Sequence, residues 1–196
     1  MKKIGVLALQ GAVAEHLKML NQIADVTAVA IKYENELADL DGLIIPGGES
    51  TAIGRLLRDF GLLLPLTKKI NDGLFVWGTC AGMIMLAKKL TDDDLVHLGV
   101  MDIEVARNAY GRQLGSFETV AKIPEVGSDE IALTFIRAPY AASVGSDVKV
   151  LLELDGRIVA CQQKHMLATA FHPEVTNDLS FHRYFVKMIR QAKDLS

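Results

Sequence analysis

A cysteine, a histidine and a glutamate in this chain have the types and spacing needed for thiol-based nucleophilic catalysis. Cys80 lies in the middle of residues 78–82 (Gly-Thr-Cys-Ala-Gly), after an apolar run at 74–77. A strand, a sharp turn with the nucleophile at its apex and a helix form a nucleophile elbow, here with cysteine in place of serine. The N–H groups at the helix start point at the sulfur and favour the thiolate. The alternative is a tight turn with a buried, inert cysteine.

Residues 171–174 (Phe-His-Pro-Glu) offer the proton acceptor that such a thiol needs. In an extended segment, residues two apart point to the same side, so the Glu174 carboxylate can orient the His172 imidazole. Pro173 between them helps to keep the segment extended. The alternative is a solvated loop histidine, since the chain has five histidines. Together with Cys80, the pair predicts a Cys-His-Glu triad.

Residues 43–51 (Leu-Ile-Ile-Pro-Gly-Gly-Glu-Ser-Thr) form a third motif, a strand that ends in a turn with two adjacent glycines. Such glycines let the backbone approach a ligand and aim N–H groups at it. Ser50 or Thr51 can cap the helix that follows. The alternatives are an ordinary loop and a phosphate cradle. The cradle is disfavoured because a Gly-Lys-Ser/Thr ending is missing and Glu49 would repel an anion.

Alternating apolar strands and amphipathic helices must position these motifs. Strand-like runs occur in the first half at residues 4–9, 26–31, 43–45 and 75–77. Apolar residues at helical spacing lie between them, and Met83, Leu86, Ala87 and Leu90 predict one such helix after Cys80. Continuous apolar strands separated by helices predict a mostly parallel central sheet with helices on both faces. All three motifs follow strands, at the edge where ligands bind in such folds.

The sequence pattern predicts that the second half of the chain is rich in strands. The runs there are 101–106, 116–121, 131–135, 150–154 and 158–161. Asp155-Gly156 between the last two predicts a hairpin turn, and a final helix is capped near Asp178 with residues 181, 185, 188 and 189 inward. The predicted fold class is therefore α/β, a single domain over residues 1–196 with a strand-rich C-terminal half.

Composition and charge exclude several classes of protein. Half of the 196 residues are hydrophobic and the net charge is only −3, so we expect no nucleic-acid partner. We also expect no membrane association and no signal peptide, because no apolar run is long enough and a strand follows Met1 at once. A functional thiol, with only one other cysteine in the chain, favours a reducing compartment, the cytoplasm.

The three motifs, in this order, resemble those of the class I (triad) glutamine amidotransferases. Within that class the chain is similar to the glutaminases of pyridoxal 5′-phosphate synthases that use ribose 5-phosphate. The stretches that carry this second similarity are residues 5–12 (Gly-Val-Leu-Ala-Leu-Gln-Gly-Ala), 107–113 (Arg-Asn-Ala-Tyr-Gly-Arg-Gln), 116–118 (Ser-Phe-Glu) and 135–139 (Phe-Ile-Arg-Ala-Pro). The resemblance implies a flavodoxin-like fold and hydrolysis of L-glutamine to glutamate and ammonia through a cysteinyl thioester.

The resemblance also implies the roles of individual residues. Cys80, His172 and Glu174 would be catalytic, and the backbone N–H groups of Gly48 and Ala81 would form the oxyanion hole. The implied glutamine-binding residues are Gly48, Glu49, Ser50, Arg107, Ile136 and Arg137. The charges of the two arginines suit the substrate α-carboxylate, and their alternative is an ordinary surface position.

A protein partner is implied as well. The ammonia would pass to a pyridoxal phosphate synthase subunit, a (β/α)₈ barrel, within a hetero-oligomer, and Gln10 would act at the interface or in activation. The loop at 110–113 is another segment that could face the partner. The resemblance implies no cofactor and no metal. Three alternatives stay open: the glutaminase of another amidotransferase, a stand-alone γ-glutamyl hydrolase, and a catalytically inactive binding module.

Overall fold

Strands and helices alternate through the first half of the chain, and strands predominate in the second. The computed structural model describes residues 1–107, 115–127 and 129–193. The helices are α1 (Val13–Leu20), α2 (Ser50–Asp59), α3 (Leu63–Asn71), α4 (Ala81–Leu86) and α5 (Ser180–Lys193). The strands are β1 (Lys2–Leu7), β2 (Val26–Ile31), β3 (Gly42–Ile45), β4 (Phe75–Thr79), β5 (Ala87–Leu90), β6 (Met101–Ala106), β7 (Ser116–Lys122), β8 (Glu130–Ile136), β9 (Tyr140–Val144), β10 (Lys149–Leu154), β11 (Arg157–Gln163) and β12 (Met166–Thr169).

One large sheet organises the molecule. Within the described residues it contains ten strands, in the order β2-β1-β3-β4-β12-β11-β9-β6-β5 with β10 paired to β11. The block β2-β1-β3-β4-β12 is parallel throughout. Beyond β12 the pairings with β11, β9 and β6 are antiparallel, and β7 and β8 form a separate antiparallel ribbon. The predicted α/β class, with its parallel centre and strand-rich second half, is confirmed.

Helices cover both faces of the parallel block. On one face, Trp77 of β4 stacks on Phe181 of α5 with ring centroids 6.1 Å apart, and meets His16 of α1 edge-on at 5.7 Å. On the other face, Gly78 lies so close to α4 that a Cβ there would come within 2.4 Å of the Gly82 carbonyl. No helix in the described ranges is long and apolar enough to span a bilayer.

The helix after Cys80 is shorter than the apolar pattern predicted. It ends at Leu86, and Ala87–Leu90 is a strand, β5, parallel to β6. The carbonyl oxygens of Met85 and Leu86 accept hydrogen bonds from the N–H groups of Leu98 and Val100, each at 3.0 Å. Because these carbonyls bond to a distant segment instead of the next helical turn, the helix stops there.

The predicted hairpin and closing helix are both present. Leu154 of β10 pairs with Arg157 of β11, so the connection is the two residues Asp155 and Gly156. Both have positive φ, 49° and 73°, as a type I′ turn requires. At the start of α5, the Asp178 carboxylate accepts the Ser180 N–H at 2.7 Å. Phe181, Phe185, Met188 and Ile189 are among the buried side chains of α5, as predicted, and His182 and Val186 are buried there too.

The hairpin turn gives a test of backbone strain. Gly156→Ala is expected to lower the free energy of unfolding by about 1 kcal/mol, because a Cβ disfavours positive φ. The new methyl group would meet no atom within 4 Å, so crowding does not contribute. Gly127→Ala is the matched control, since that position is equally open and lacks a positive φ. Urea denaturation of both variants measures the difference, and equal losses would contradict the turn geometry.

Candidate active site

Cys80 occupies a strained turn at the carboxyl end of β4. Its backbone has φ 48° and ψ −105°, a conformation that residues other than glycine rarely adopt. The Cys80 N–H donates to the Thr169 carbonyl of β12 at 2.8 Å, which anchors the turn on the neighbouring strand. A Cβ at Gly82 would lie only 2.1 Å from the Ile45 carbonyl oxygen. The strand, the helix and the turn therefore fit together only with glycine at this position, as the elbow motif predicted.

His172 and Glu174 lie side by side just beyond β12. The His172 Nδ1–H donates to Glu174 Oε1 at 2.7 Å, and both residues are buried. The prediction that this segment is extended is wrong, because Pro173–Val175 forms a single 3₁₀ turn. Pro173 takes the first position of that turn, where no N–H is needed. The tight turn, rather than the alternation of a strand, brings the two side chains together.

His172 is held in its charged form. Burial lowers the pKa of His172, but its hydrogen bonds and charge interactions with Cys80 and Glu174 outweigh burial and raise that pKa to about 10. The imidazole is thus positively charged at neutral pH, with a carboxylate on one side and the Cys80 thiol on the other. A neighbouring imidazolium stabilises a thiolate, which is the nucleophilic form of cysteine.

The glycine loop after β3 presses against both of these side chains. A Cβ at Gly47 would come within 2.3 Å of His172 Cε1 and 3.3 Å of Cys80 Cβ. The Gly47 N–H donates to Thr79 Oγ1 at 3.0 Å, and the Gly47 carbonyl accepts the Ala12 N–H at 3.0 Å. The backbone thus approaches the site closely, as the paired glycines predicted.

The residues after the glycines sit at the mouth of the site. Glu49 is the residue that precedes α2, and its backbone N–H donates to Gln10 Oε1 at 2.7 Å. The prediction that Ser50 or Thr51 caps α2 is wrong, since Ser50 is already its first helical residue and is buried. The start of α2 is therefore tied to the loop after β1, through Gln10.

One pocket of about 400 Å³ opens over Cys80. Its lining includes the predicted residues Gln10, Gly48, Glu49, Ser50, Cys80, Ala81, Arg107, Ile136, Arg137 and His172. Glu174 does not line this pocket and lies behind His172. Six separate stretches of sequence are thus brought to one cavity at the carboxyl edge of the parallel strands, which is where the motifs were expected.

Two arginines, Arg107 and Arg137, belong to the lining of the pocket. Arg107 Nη2 is 2.8 Å from Asp93 Oδ2, which fixes the guanidinium. Arg137 has a positive φ of 44°, and its N–H donates to the Gly115 carbonyl. The preceding carbonyl, that of Ile136, lies 3.9 Å from Cys80 Sγ. Residues 108–113 of the predicted block, including the loop expected to face a partner, lie outside the described residues.

Sequence reasoning missed three residues that support the site. They are His16, Thr79 and Asp93, which contact Glu174, Gly47 and Arg107 respectively. A signal for His16 existed, because it lies three residues after Val13 on the apolar face of α1 and is fully buried. Asp93 gave no signal, since it is one of three consecutive aspartates.

Comparison with known proteins gives the family. A sequence model of the SNO glutamine amidotransferase family matches residues 6–191. The chain belongs to the SNO glutamine amidotransferase family. The resemblance predicted from the three motifs is thereby confirmed, and the chain is a glutamine amidotransferase.

Individual relatives of this amidotransferase are similar over nearly the whole chain. A protein of Ruminiclostridium cellulolyticum named pyridoxal 5′-phosphate synthase subunit PdxT is 61% identical over 189 residues, covering 96% of this chain and 100% of its own. A protein of the same name from a Thermoanaerobacter species is 54% identical, covering 95% and 98%. A crystal structure described as a glutamine amidotransferase is 40% identical, covers 95% and 98%, and superposes with a TM-score of 0.89. The class I amidotransferase fold is therefore confirmed.

The two cysteines should differ sharply in reactivity. We expect the glutamine-like electrophile diazo-oxo-norleucine to label Cys80 and to leave Cys161 unmodified in the folded protein. Cys161 is buried within β11, and burial raises the pKa of its thiol to about 12, so it is almost entirely un-ionised at neutral pH. Mass spectrometry of tryptic peptides locates the label.

Matched variants complete this experiment. Cys161→Ala should keep the labelling of the wild type, and Cys80→Ala should lose it. An alkylating reagent added after denaturation should modify both cysteines and so show that each is detectable. Label on Cys161 in the folded protein would contradict the assignment.

Proposed function

We propose that this chain is the glutaminase subunit of a pyridoxal 5′-phosphate synthase. It hydrolyses L-glutamine to glutamate and ammonia, and the ammonia passes to a synthase subunit that uses it in vitamin B6 biosynthesis. The observation that carries the proposal is the Cys80–His172–Glu174 arrangement, in which Cys80 and His172 line the pocket and Glu174 is hydrogen-bonded to His172. The relatives that share more than half of their residues with the chain are named as subunits of that synthase, which supports the choice of product.

The proposed reaction uses the triad in two halves. The Cys80 thiolate attacks the side-chain amide carbon of glutamine, and His172 gives its proton to the departing nitrogen, which leaves as ammonia. A water molecule then attacks the γ-glutamyl thioester, with His172 as the base that takes its proton, and the Cys80 sulfur leaves. Glu174 keeps His172 oriented and stabilises its charged form.

Two backbone N–H groups are proposed to bind the oxyanion of both steps. The N–H of Ala81 belongs to the first turn of α4 and has no partner within the helix. The Gly47 carbonyl points to Ala12, so the Gly48 N–H, on the opposite side of the same planar peptide, points away from Ala12. One such donor is typically worth about 3–4 kcal/mol in the transition state.

Charged groups of opposite sign in the pocket lining are proposed to hold the α-carboxylate and the α-ammonium group of the substrate. Arg107, fixed by Asp93, and Arg137 suit the α-carboxylate, and Glu49 suits the α-ammonium group. Ser50 and the Ile136 main chain supply further polar contacts. Free glutamine carries both charges, so this pattern favours free glutamine over a neutral amide.

The proposed partner is a (β/α)₈-barrel synthase subunit within a hetero-oligomer. Gln10 is exposed, lines the pocket, and accepts a hydrogen bond from the Glu49 N–H. A partner that displaces Gln10 would therefore change the glycine loop directly. Because the reaction needs a reduced thiol, the proposal places the assembly in the cytoplasm. An assay of glutamine hydrolysis with and without the synthase subunit distinguishes this proposal from the three alternatives. These are a glutaminase of another amidotransferase, a stand-alone γ-glutamyl hydrolase and an inactive binding module.

Replacing Cys80 should abolish the supply of ammonia from glutamine without affecting the synthesis of pyridoxal 5′-phosphate from added ammonia. In the complex with the synthase subunit, Cys80→Ala is expected to lower glutamine hydrolysis by several orders of magnitude. Formation of pyridoxal 5′-phosphate from added ammonium salts should continue at the wild-type rate, because only the supply of ammonia is lost. Full wild-type hydrolysis without any partner would favour the stand-alone hydrolase. Absence of glutamate formation by the wild-type complex would establish an inactive module.

An added methyl group at Gly48 in the glycine loop should lower the rate of catalysis more than it weakens the binding of glutamine. A Cβ at Gly48 would come within 2.4 Å of Gln10 Oε1 and 3.2 Å of Gly11 Cα, so the loop of a Gly48→Ala variant must shift. We expect kcat at saturating partner to fall by about a hundredfold, with a smaller change in KM, because an oxyanion donor acts mainly in the transition state.

A comparison variant is Gln10→Ala, which removes the bond from Gln10 to the Glu49 N–H, as the displacement of Gln10 would, but adds no atom against the loop backbone. Sedimentation should show that both variants still bind the synthase subunit. An unchanged kcat with a raised KM for Gly48→Ala would mean that Gly48 contacts only the bound substrate.

A further inference from the structure

A buried polar cluster lies directly behind the proposed catalytic carboxylate. His16 of α1, Thr79 of β4 and His182 of α5 are each fully buried. His16 Nδ1 is 2.9 Å from His182 Nε2, and His16 Nε2 is 3.2 Å from Thr79 Oγ1 and 3.4 Å from Glu174 Oε2. The proposed reaction gives none of these three side chains a role, although two of them contact its machinery.

His16 is uncharged in this cluster. Burial lowers the pKa of His16 well below its usual value, and the neighbouring His182 and His172 lower it further. Burial also lowers the pKa of His182, to about 3. Each ring therefore carries one proton, and the position of that proton decides which contacts are hydrogen bonds.

The surroundings select one arrangement of these two protons. A proton on His16 Nδ1 would be donated to His182 Nε2, which would leave His182 with its own proton on Nδ1. His182 Nδ1 has no hydrogen-bond partner among the described residues, and buried N–H groups without an acceptor are rare. His16 would then also turn the lone pair of Nε2 toward the carboxylate oxygen Glu174 Oε2, at 3.4 Å.

The opposite arrangement satisfies both ends of the cluster. The His182 Nε2–H donates to His16 Nδ1, and only a lone pair is left at His182 Nδ1. The His16 Nε2–H then donates to Thr79 Oγ1 at 3.2 Å, and the same nitrogen lies 3.4 Å from Glu174 Oε2. Glu174 Oε2 has no hydrogen-bond partner among the described residues, so the nearby N–H dipole of His16 places a partial positive charge beside the outer oxygen of a buried carboxylate.

We propose that His16, as the neutral Nε2–H tautomer, is a positioning residue that holds Glu174 and the glycine loop in register. The carboxylate then has a polar N–H group on both sides: His172 donates a hydrogen bond to Oε1, and His16 Nε2 lies 3.4 Å from Oε2. The same His16 nitrogen contacts Thr79 Oγ1, which accepts the Gly47 N–H. One buried ring thus fixes the position of Glu174, which orients His172, relative to the glycine loop. This inference rests on the proposed glutaminase function.

The position of His16 in the chain adds further contacts between α1 and the glycine loop. Its helix, α1, begins immediately after Ala12, whose N–H binds the Gly47 carbonyl. Gln10, in the same loop, binds the Glu49 N–H. The loop and the first turns of α1 therefore touch the glycine loop at two backbone groups and the triad at one side chain. A movement of α1 changes all three contacts together.

Two substitutions of equal polarity distinguish this role from general packing. The amide nitrogen of glutamine can take the place of His16 Nε2, whereas that of asparagine can take only the place of Nδ1. In the complex with the synthase subunit, we expect His16→Gln to keep most of the wild-type kcat. We expect His16→Asn to lower kcat by about tenfold to a hundredfold with little change in KM, since a misplacement of the order of 1 Å has effects of that size.

His165→Gln is the matched control. His165 is a half-buried histidine, bound to the Ile70 carbonyl at 2.7 Å, and it lies at the opposite end of β12 from the site. Its kcat should equal that of the wild type. Equal kcat values for His16→Gln and His16→Asn, with wild-type hydrolysis present, would overturn the positioning role. An inactive wild-type complex would instead refute the proposed function.

A spectroscopic measurement tests the inference without any activity. The ¹⁵N NMR spectrum of the wild-type chain should show His16 with a protonated Nε2 and an unprotonated Nδ1. The Nδ1–H resonance of His172, which is bound to Glu174, should move in His16→Asn more than in His16→Gln. A proton on His16 Nδ1, or a His172 resonance that is the same in all three proteins, would overturn the proposal whether or not the variants hydrolyse glutamine.

Discussion

The buried carboxylate of Glu174 is the constraint around which the site is built. An isolated carboxylate in a dry interior is costly, so its neighbours must supply donors and positive charge. His172 does so at one oxygen with a hydrogen bond of 2.7 Å, and His16 lies 3.4 Å from the other. The ion pair in turn keeps His172 charged beside the Cys80 thiol. The buried carboxylate thus contributes, together with Cys80, to the raised pKa of the imidazole between them.

Close approach of backbones is the second requirement of this arrangement. The loop after β3, the turn after β4 and the start of α4 are nearer to one another than side chains would allow, as Gly47, Gly78 and Gly82 show. At these three positions a Cβ would lie 2.1–2.4 Å from another atom. The glycines of the motifs are therefore needed for close packing at the edge of the sheet as well as for the proposed chemistry.

Much of this could be predicted from the sequence, and the failures have physical causes. Apolar runs such as residues 43–45 identify buried parallel strands, and Asp155-Gly156 identifies a type I′ turn, because both signals are local. The end of α4 at Leu86 could not be predicted, since it depends on carbonyl bonds to Leu98 and Val100, residues far from that helix's pattern. The contact between His16 and Glu174 was equally invisible, because it joins residues far apart in the chain.

The positive φ of Cys80 has a consequence for how such a chain can change over time. A backbone held in that conformation would be relaxed by glycine, so the loss of the thiol need not weaken the fold and can even strengthen it. Selection for stability alone would therefore favour glycine over cysteine at this position. The proposed chemistry of Cys80 is what offsets the backbone strain that the turn imposes on it.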